Sequence, residues 1–193
     1  MARETRVTKH DVAAPHNRPM HKVMLCVLSA VSLAACSPDL NWRQTGFEGT
    51  NFKAELPCKP DRTTRQVPLG GLPVNLQVAG CEAGSAMVAV MTAALPSGVD
   101  ANALLQGWQQ ATLNNIQAKS AQRQPWVRAG MLPLPEAQRI RAEGQRNDGQ
   151  SVVAQAVWGA FVEGDHVRLV HAAVYDRKVP AELADTLFES LKP

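Results

Sequence analysis

Beyond position 36 the side chains able to make or break bonds are few, and their spacing limits what they can do together. His166 and His171 are the two histidines of this stretch. On an extended segment an odd spacing sends them to opposite faces, so they cannot hold one metal as neighbours. His171, between Val170 and Ala172, reads as a partly buried strand histidine, whereas His166 follows a turn and reads as solvated. Glu163 and Asp165 resemble a carboxylate pair, but with Gly164 between them they read as a hairpin tip. Gly84-Ser85-Ala86 lacks the second glycine of a nucleophile elbow. Gly70-Gly71 has neither the partner glycine nor the lysine of a phosphate cradle. Cys58 and Cys81 have no histidine or further cysteine at ligand spacing. These patterns nominate no catalytic residue, no metal and no cofactor.

Recognition is the other chemistry open to such a chain. Of its tryptophans, Trp108 and Trp158 sit at core positions of the helix and strand patterns, and Trp42 precedes them in a polar stretch. Trp126, beside Pro125 and near Arg128, is the one with a surface role to play, so Trp126 and Arg128 are the candidate binding surface. Arg139, Arg141 and Arg146 make a basic strand, which reads either as a solvated face or as a contact for anionic lipid or an acidic partner.

The elements that must position these residues are marked by clear punctuation. Phe52-Lys-Ala-Glu-Leu56 alternates as a half-buried strand and stops at Pro57. Residues 65–69 and 74–78 alternate likewise, joined through Gly70-Gly71-Leu72-Pro73. Residues 85–95 read as a buried strand stopped by Pro96-Ser97-Gly98. Asp100 then caps a helix, with Val99 and Leu104 in the relation of a hydrophobic staple. Leu104, Leu105, Trp108, Ala111, Thr112 and Ile116 form its core stripe, and Gly107 leaves room for a neighbouring backbone. Residues 120–137, with three prolines, read as irregular strand and turn, and 139–143 as a more exposed strand. After the turn at Asn147-Asp148-Gly149, residues 151–162 and 166–175 form a hairpin apolar on both faces, as central strands should be. A last helix begins at Pro180, its stripe made by Leu183, Leu187, Phe188 and Leu191. The expected class is α+β, an antiparallel sheet with helices packed on it.

Before this domain lies a targeting segment. His21 and Lys22 precede an apolar run from Val23 to Leu33, followed by Ala34-Ala35-Cys36: a basic start, an apolar core and small residues at a cleavage point. The run is too short to span a bilayer's roughly 30 Å of hydrocarbon. Leu33-Ala34-Ala35-Cys36 resembles the lipobox of bacterial lipoproteins. The resemblance implies a diacylglyceryl thioether on Cys36, cleavage before it and acylation of the new amino terminus; two or more acyl chains hold a protein to a membrane stably. Ser37 resembles the outer-membrane rather than the inner-membrane sorting signal. Residues 1–19 are polar, with Pro15 and Pro19, and translation is expected to start at Met20.

The expected organisation is a leader over 1–35, the lipidated Cys36 with a short tether to 46, and one domain over 47–193. In an exported chain, Cys58 and Cys81 are expected to form a disulfide between neighbouring strands; two buried free thiols are the other reading. The chain has a net charge of +3, which the leader's own basic excess accounts for. The remainder is neutral with mixed signs, unsuited to nucleic acid, whose binding needs clustered Lys and Arg. The strand at Phe52-Lys-Ala-Glu-Leu-Pro57, the strand ending before Pro96, the capped helix and the final hairpin plus helix resemble the PsbP-like α/β/α sandwich, a fold of the photosystem II extrinsic subunit and of small bacterial lipoproteins. Such a fold does not fix a function. The functional expectation is a non-enzymatic binding or accessory module, anchored in the bacterial envelope through Cys36 and contacting a protein or another envelope component. The alternative is a small-ligand or lipid-binding domain with a sheet–helix cleft near Trp108 or Trp126.

Overall fold

The computed structural model describes residues 40–193. The leader and Cys36 lie outside the described residues. A two-stranded hairpin, β1 (Arg43–Gly46) and β2 (Lys53–Leu56), opens the domain. Three strands follow, β3 (Asp61–Leu69), β4 (Leu72–Ala83) and β5 (Ala86–Ala94), then helix α1 (Ala101–Asn115). The chain continues through β6 (Ser120–Pro125), β7 (Gln138–Gln145), β8 (Ser151–Glu163) and β9 (His166–Asp176) to helix α2 (Ala181–Glu189). Strands β3 to β9 form one seven-stranded sheet in the order β3-β4-β5-β9-β8-β7-β6, every neighbour antiparallel. The protein is therefore α+β, with the sheet dominant and two helices.

Alternation along the central strands divides the core in two. Ala154, Ala156, Trp158 and Ala160 of β8 and Leu169 and Ala173 of β9 face one side, where Leu104, Leu105, Trp108 and Leu113 of α1 meet them. Val157 and Phe161 of β8 and Val170, Ala172 and Val174 of β9 face the other, against Leu183, Ala184, Leu187 and Phe188 of α2 and Phe52, Ala54 and Leu56. Burial of apolar surface on both faces explains why these two strands carry so few polar residues.

Local chemistry sets the element ends. Asp100 caps α1 by accepting from the Asn102 N–H at 2.9 Å. The helix stops in a Schellman turn: Gln117 takes φ 47°, and the Ala118 and Gln117 N–H groups bond the carbonyls of Leu113 and Asn114 at 2.9 Å each. Gly107 lies against Gly70 at the β3–β4 turn, where a Cβ would stand 3.8 Å from the Gly70 Cα, so the expected close approach is found. Gly144 is tighter still: a Cβ there would fall 2.0 Å from the Ile116 carbonyl oxygen.

Several elements differ from the sequence expectation, β3 and β4 being longer than read. Residues 43–46, read as tether, form β1, because Thr45 is buried and Trp42 packs on the core below it. Residues 120–125 form a regular edge strand, since Pro125 stands at its last position, where a missing N–H is harmless. Helix α2 starts at Ala181, with Pro180 extended (ψ 131°) at the N-cap. Cys58 and Cys81 are joined, their Cα atoms 6.0 Å apart. Cys81 lies in β4, but Cys58 lies in the turn after β2 rather than in a strand.

Candidate functional site

Open polar ground lies on the α2 side of β6, β7 and β8. Register places Gln124, Arg139 and Val157 in one cross-strand row, Gln122, Arg141 and Gln155 in the next, and Ser120, Glu143 and Val153 in the third. Every residue of β6 is exposed, and α2 lies over β8 and β9 rather than over this edge. The result is a trough of about 300 Å³ lined by Gln122, Gln124, Arg139, Arg141, Gln155 and Asp185.

Arg139 is fixed within it. Its guanidinium pairs with Asp185 of α2 at 2.6 Å, donates to the Gln155 Oε1 at 2.7 Å and lies 5.1 Å over the Phe188 ring. Three partners on two elements hold the planar group in one pose, which suits recognition of a shaped acceptor more than proton transfer. Arg141 is more exposed and pairs with Glu143 at 2.7 Å. The trough runs on into a groove of about 630 Å³ bordered by Lys119, Arg141, Glu143, Arg177 and Lys178. A further cleft beside it is bordered by Ser85, Arg146, Gln150 and Asp176. Among the described residues Lys119, Arg146, Arg177 and Lys178 make no ion pair, and all four are exposed. Of the sequence candidates, only the strand of Arg139, Arg141 and Arg146 pointed here. Lys119, Arg177, Lys178 and the glutamines reach the site through the sheet, and no local pattern announces them.

The residues nominated as a binding surface occupy another place. Trp126 is buried, correcting the expected surface role. Gly159 of β8 has no side chain, and the indole fills that space; a Cβ on Gly159 would lie 2.9 Å from the Trp126 Cζ3. Arg128 donates at 2.8 Å to the carbonyl of Glu189, the last residue of α2, where a cation complements the helix dipole. The pair thus secures a loop and a helix end. The sheet–helix space near Trp108 is filled as well: His171 stacks on Trp158 at 4.3 Å and meets Trp108 edge-on at 5.3 Å. Burial pushes the His171 pKa down to about 4, although its bond to the Val157 carbonyl at 3.1 Å opposes that. A neutral imidazole donating from Nδ1 is the form consistent with that carbonyl. His166 stays at the surface beside Asp165, so the two histidines diverge as their spacing requires.

Glu163 is more than a hairpin tip. It accepts from the Asn51 N–H at 2.5 Å and from the Arg168 Nε at 2.8 Å, tying the β1–β2 loop to the β8–β9 turn. Burial alone would raise its pKa, but hydrogen bonds from Asn51, Arg168 and Thr50 outweigh that and hold it below the usual carboxylate value. Its role is to fasten a loop. Among the described residues, no three His, Cys, Asp or Glu side chains gather as a metal site, and no helix is long and apolar enough to cross a membrane. Comparison with known proteins finds no family model and no curated relative that matches the chain.

Proposed function

We propose that the chain is a lipid-anchored binding module of the bacterial cell envelope, held to the membrane through Cys36 and offering the trough of β6–β8 to an envelope protein. The observation that carries the reading is the Cys58–Cys81 disulfide. Such bonds persist in oxidising compartments, the destination that the signal over 20–36 specifies. The trough supplies the recognition surface: Arg139 is pre-positioned, Gln122, Gln124 and Gln155 offer donors and acceptors, and the exposed edge of β6 leaves backbone groups open to pairing. The placement of α1 on one face and α2 with the β1–β2 hairpin on the other supports the likeness to the PsbP-like sandwich. Ser37 favours the outer membrane as the site of anchoring, with the domain facing the periplasm.

Two readouts on one preparation test this. The mature chain isolated from cells should begin at Cys36 and carry the mass of its acyl groups, both lost in Cys36→Ser. A photocrosslinker at Gln124 should capture one reproducible envelope protein, and the same group at Gln66 on the opposite sheet edge should not. A mature chain starting elsewhere refutes the anchor; equal capture from both positions refutes the trough as the binding surface.

A further inference from the structure

The strand register gives the sheet two electrically different ends. At one end lie the β4–β5 turn (Ala83↔Ala86), the close of β9 (Asp176↔Val153), the β7–β8 turn (Gln145↔Ser151) and the start of β6 (Ser120↔Glu143). Lys119, Arg146, Arg177 and Lys178 are all found there. Of the acids at this corner Glu143 pairs with Arg141, while Asp176 accepts from Ser85 and from the Arg177 N–H and Asp148 from the Gln150 N–H; both keep their charge, and the four cations outnumber them. On the β3–β4 side of the same end, Lys59 and Arg62 offset Asp61 and Glu82. The far end instead carries Glu48, Asp100, Glu136, Glu163, Asp165 and Glu189 against Lys53, Arg128, Arg168 and Lys192, an excess of acids.

Asn41, near the start of the described residues, lies at the basic end. The Asn41 N–H bonds the Pro57 carbonyl at 2.7 Å, and the next residue, Cys58, is bound to Cys81 near the close of β4. Five residue steps separate Cys36 from Asn41, a reach of about 18 Å at full extension. An acylated Cys36 would therefore hold this end within about two Debye lengths of the headgroups, where surface charge is felt.

We propose that the corner formed by Lys119, Arg146, Arg177 and Lys178 docks on anionic phospholipid headgroups of the bilayer that holds the anchor, orienting the domain with its acidic end outward. The proposal rests on the lipid-anchor reading above. The unpaired cations beside the two clefts meet lipid phosphates, while the trough of β6–β8 stands sideways to the membrane and stays open to a partner. Each Lys or Arg brought to an anionic surface favours the docked pose about five-fold.

The test uses the acylated mature chain reconstituted in vesicles of phosphatidylcholine, alone or with phosphatidylglycerol at about one lipid in three, followed by backbone hydrogen exchange. Amides at 146–150 and 177–179 should exchange at least about three-fold more slowly on the anionic vesicles, consistent with a five-fold bias per cation. Those at 163–165 should not change. High salt should abolish the difference, and so should Arg146→Gln/Arg177→Gln/Lys178→Gln, whose positions are all exposed and leave the core intact. Equal exchange on both vesicle types with the acyl mass present overturns the docking proposal and leaves the anchor standing. A mature chain without acyl groups overturns both. Protection that appears only when a polyglutamate peptide is added, and not on anionic vesicles, assigns the corner to an acidic protein and also overturns the proposal.

Discussion

Replacing Gly144 by alanine should destabilise this domain far more than one methyl group suggests. The end of α1 rests directly on β7 at this point: the Gln145 N–H bonds the Ile116 carbonyl at 2.6 Å, and the Lys119 N–H bonds the Glu143 carbonyl at 2.8 Å. The added Cβ would lie 2.0 Å from the Ile116 oxygen and 3.2 Å from the Ala118 Cα. An unstrained carbon–oxygen contact is about 3.3 Å, so helix end and strand must part by about 1.3 Å. That separation takes both hydrogen bonds out of range, at about 1 kcal/mol each. Overpacking adds about 1–3 kcal/mol. The expected loss is about 3–5 kcal/mol, a fall in Tm of about 6–20 °C for a domain of this size. Thermal and urea unfolding of the oxidised chain, followed by far-ultraviolet circular dichroism, measures it. Gly46→Ala is the control, because nothing lies within 4 Å of a Cβ there; it should change stability by no more than about 0.5 kcal/mol. A Gly144→Ala chain within about 1 kcal/mol of the parent would refute the close packing of α1 on β7.

Two further outcomes can be measured on the same preparation. Cys58→Ser/Cys81→Ser should lose about 3 kcal/mol, because the bond closes a 23-residue separation; a loss below about 1 kcal/mol would contradict that. Stability should also fall as pH drops from 6.5 towards 4. His171 is held neutral in the fold, its pKa lowered from 6.5 to about 4, so the unfolded chain binds the proton first and is favoured across that window. The full effect is about 3 kcal/mol, complete below the folded value and absent above the unfolded one. His171→Phe should flatten the dependence whatever its absolute stability, and an unchanged pH slope would rule out His171 as its source.

Much of the fold is legible because its signals are local. The Asp100 cap, the Gly70-Gly71 turn, the Asn147-Asp148-Gly149 turn and the doubly apolar β8–β9 hairpin each declare themselves within a few residues. What escapes is decided across the sheet. β1 is short and polar, and it becomes a strand only because Thr45 and Trp42 find a core beneath them. The first six residues of β3 are all exposed, so no alternation marks where it begins. Trp126 looks superficial until Gly159, far along the chain, provides the space for its ring. The basic corner draws on the residue before β6, the β7–β8 turn and the segment after β9, and no window of sequence contains it.

The order of strands also bears on when the domain can close. β3, β4 and β5 are consecutive in the chain, as are β6 to β9, and the two groups meet only where β9 pairs with β5. A chain threaded through a membrane with its amino terminus leading exposes the free edge of β5 until residues 166–176 arrive, and α2, which covers one face, emerges later still. Such distant pairing delays completion. If the chain is exported as proposed, its central seam is sewn only by its last strand. Cys58 and Cys81 both belong to the first part to emerge, so their bond can close before that seam does.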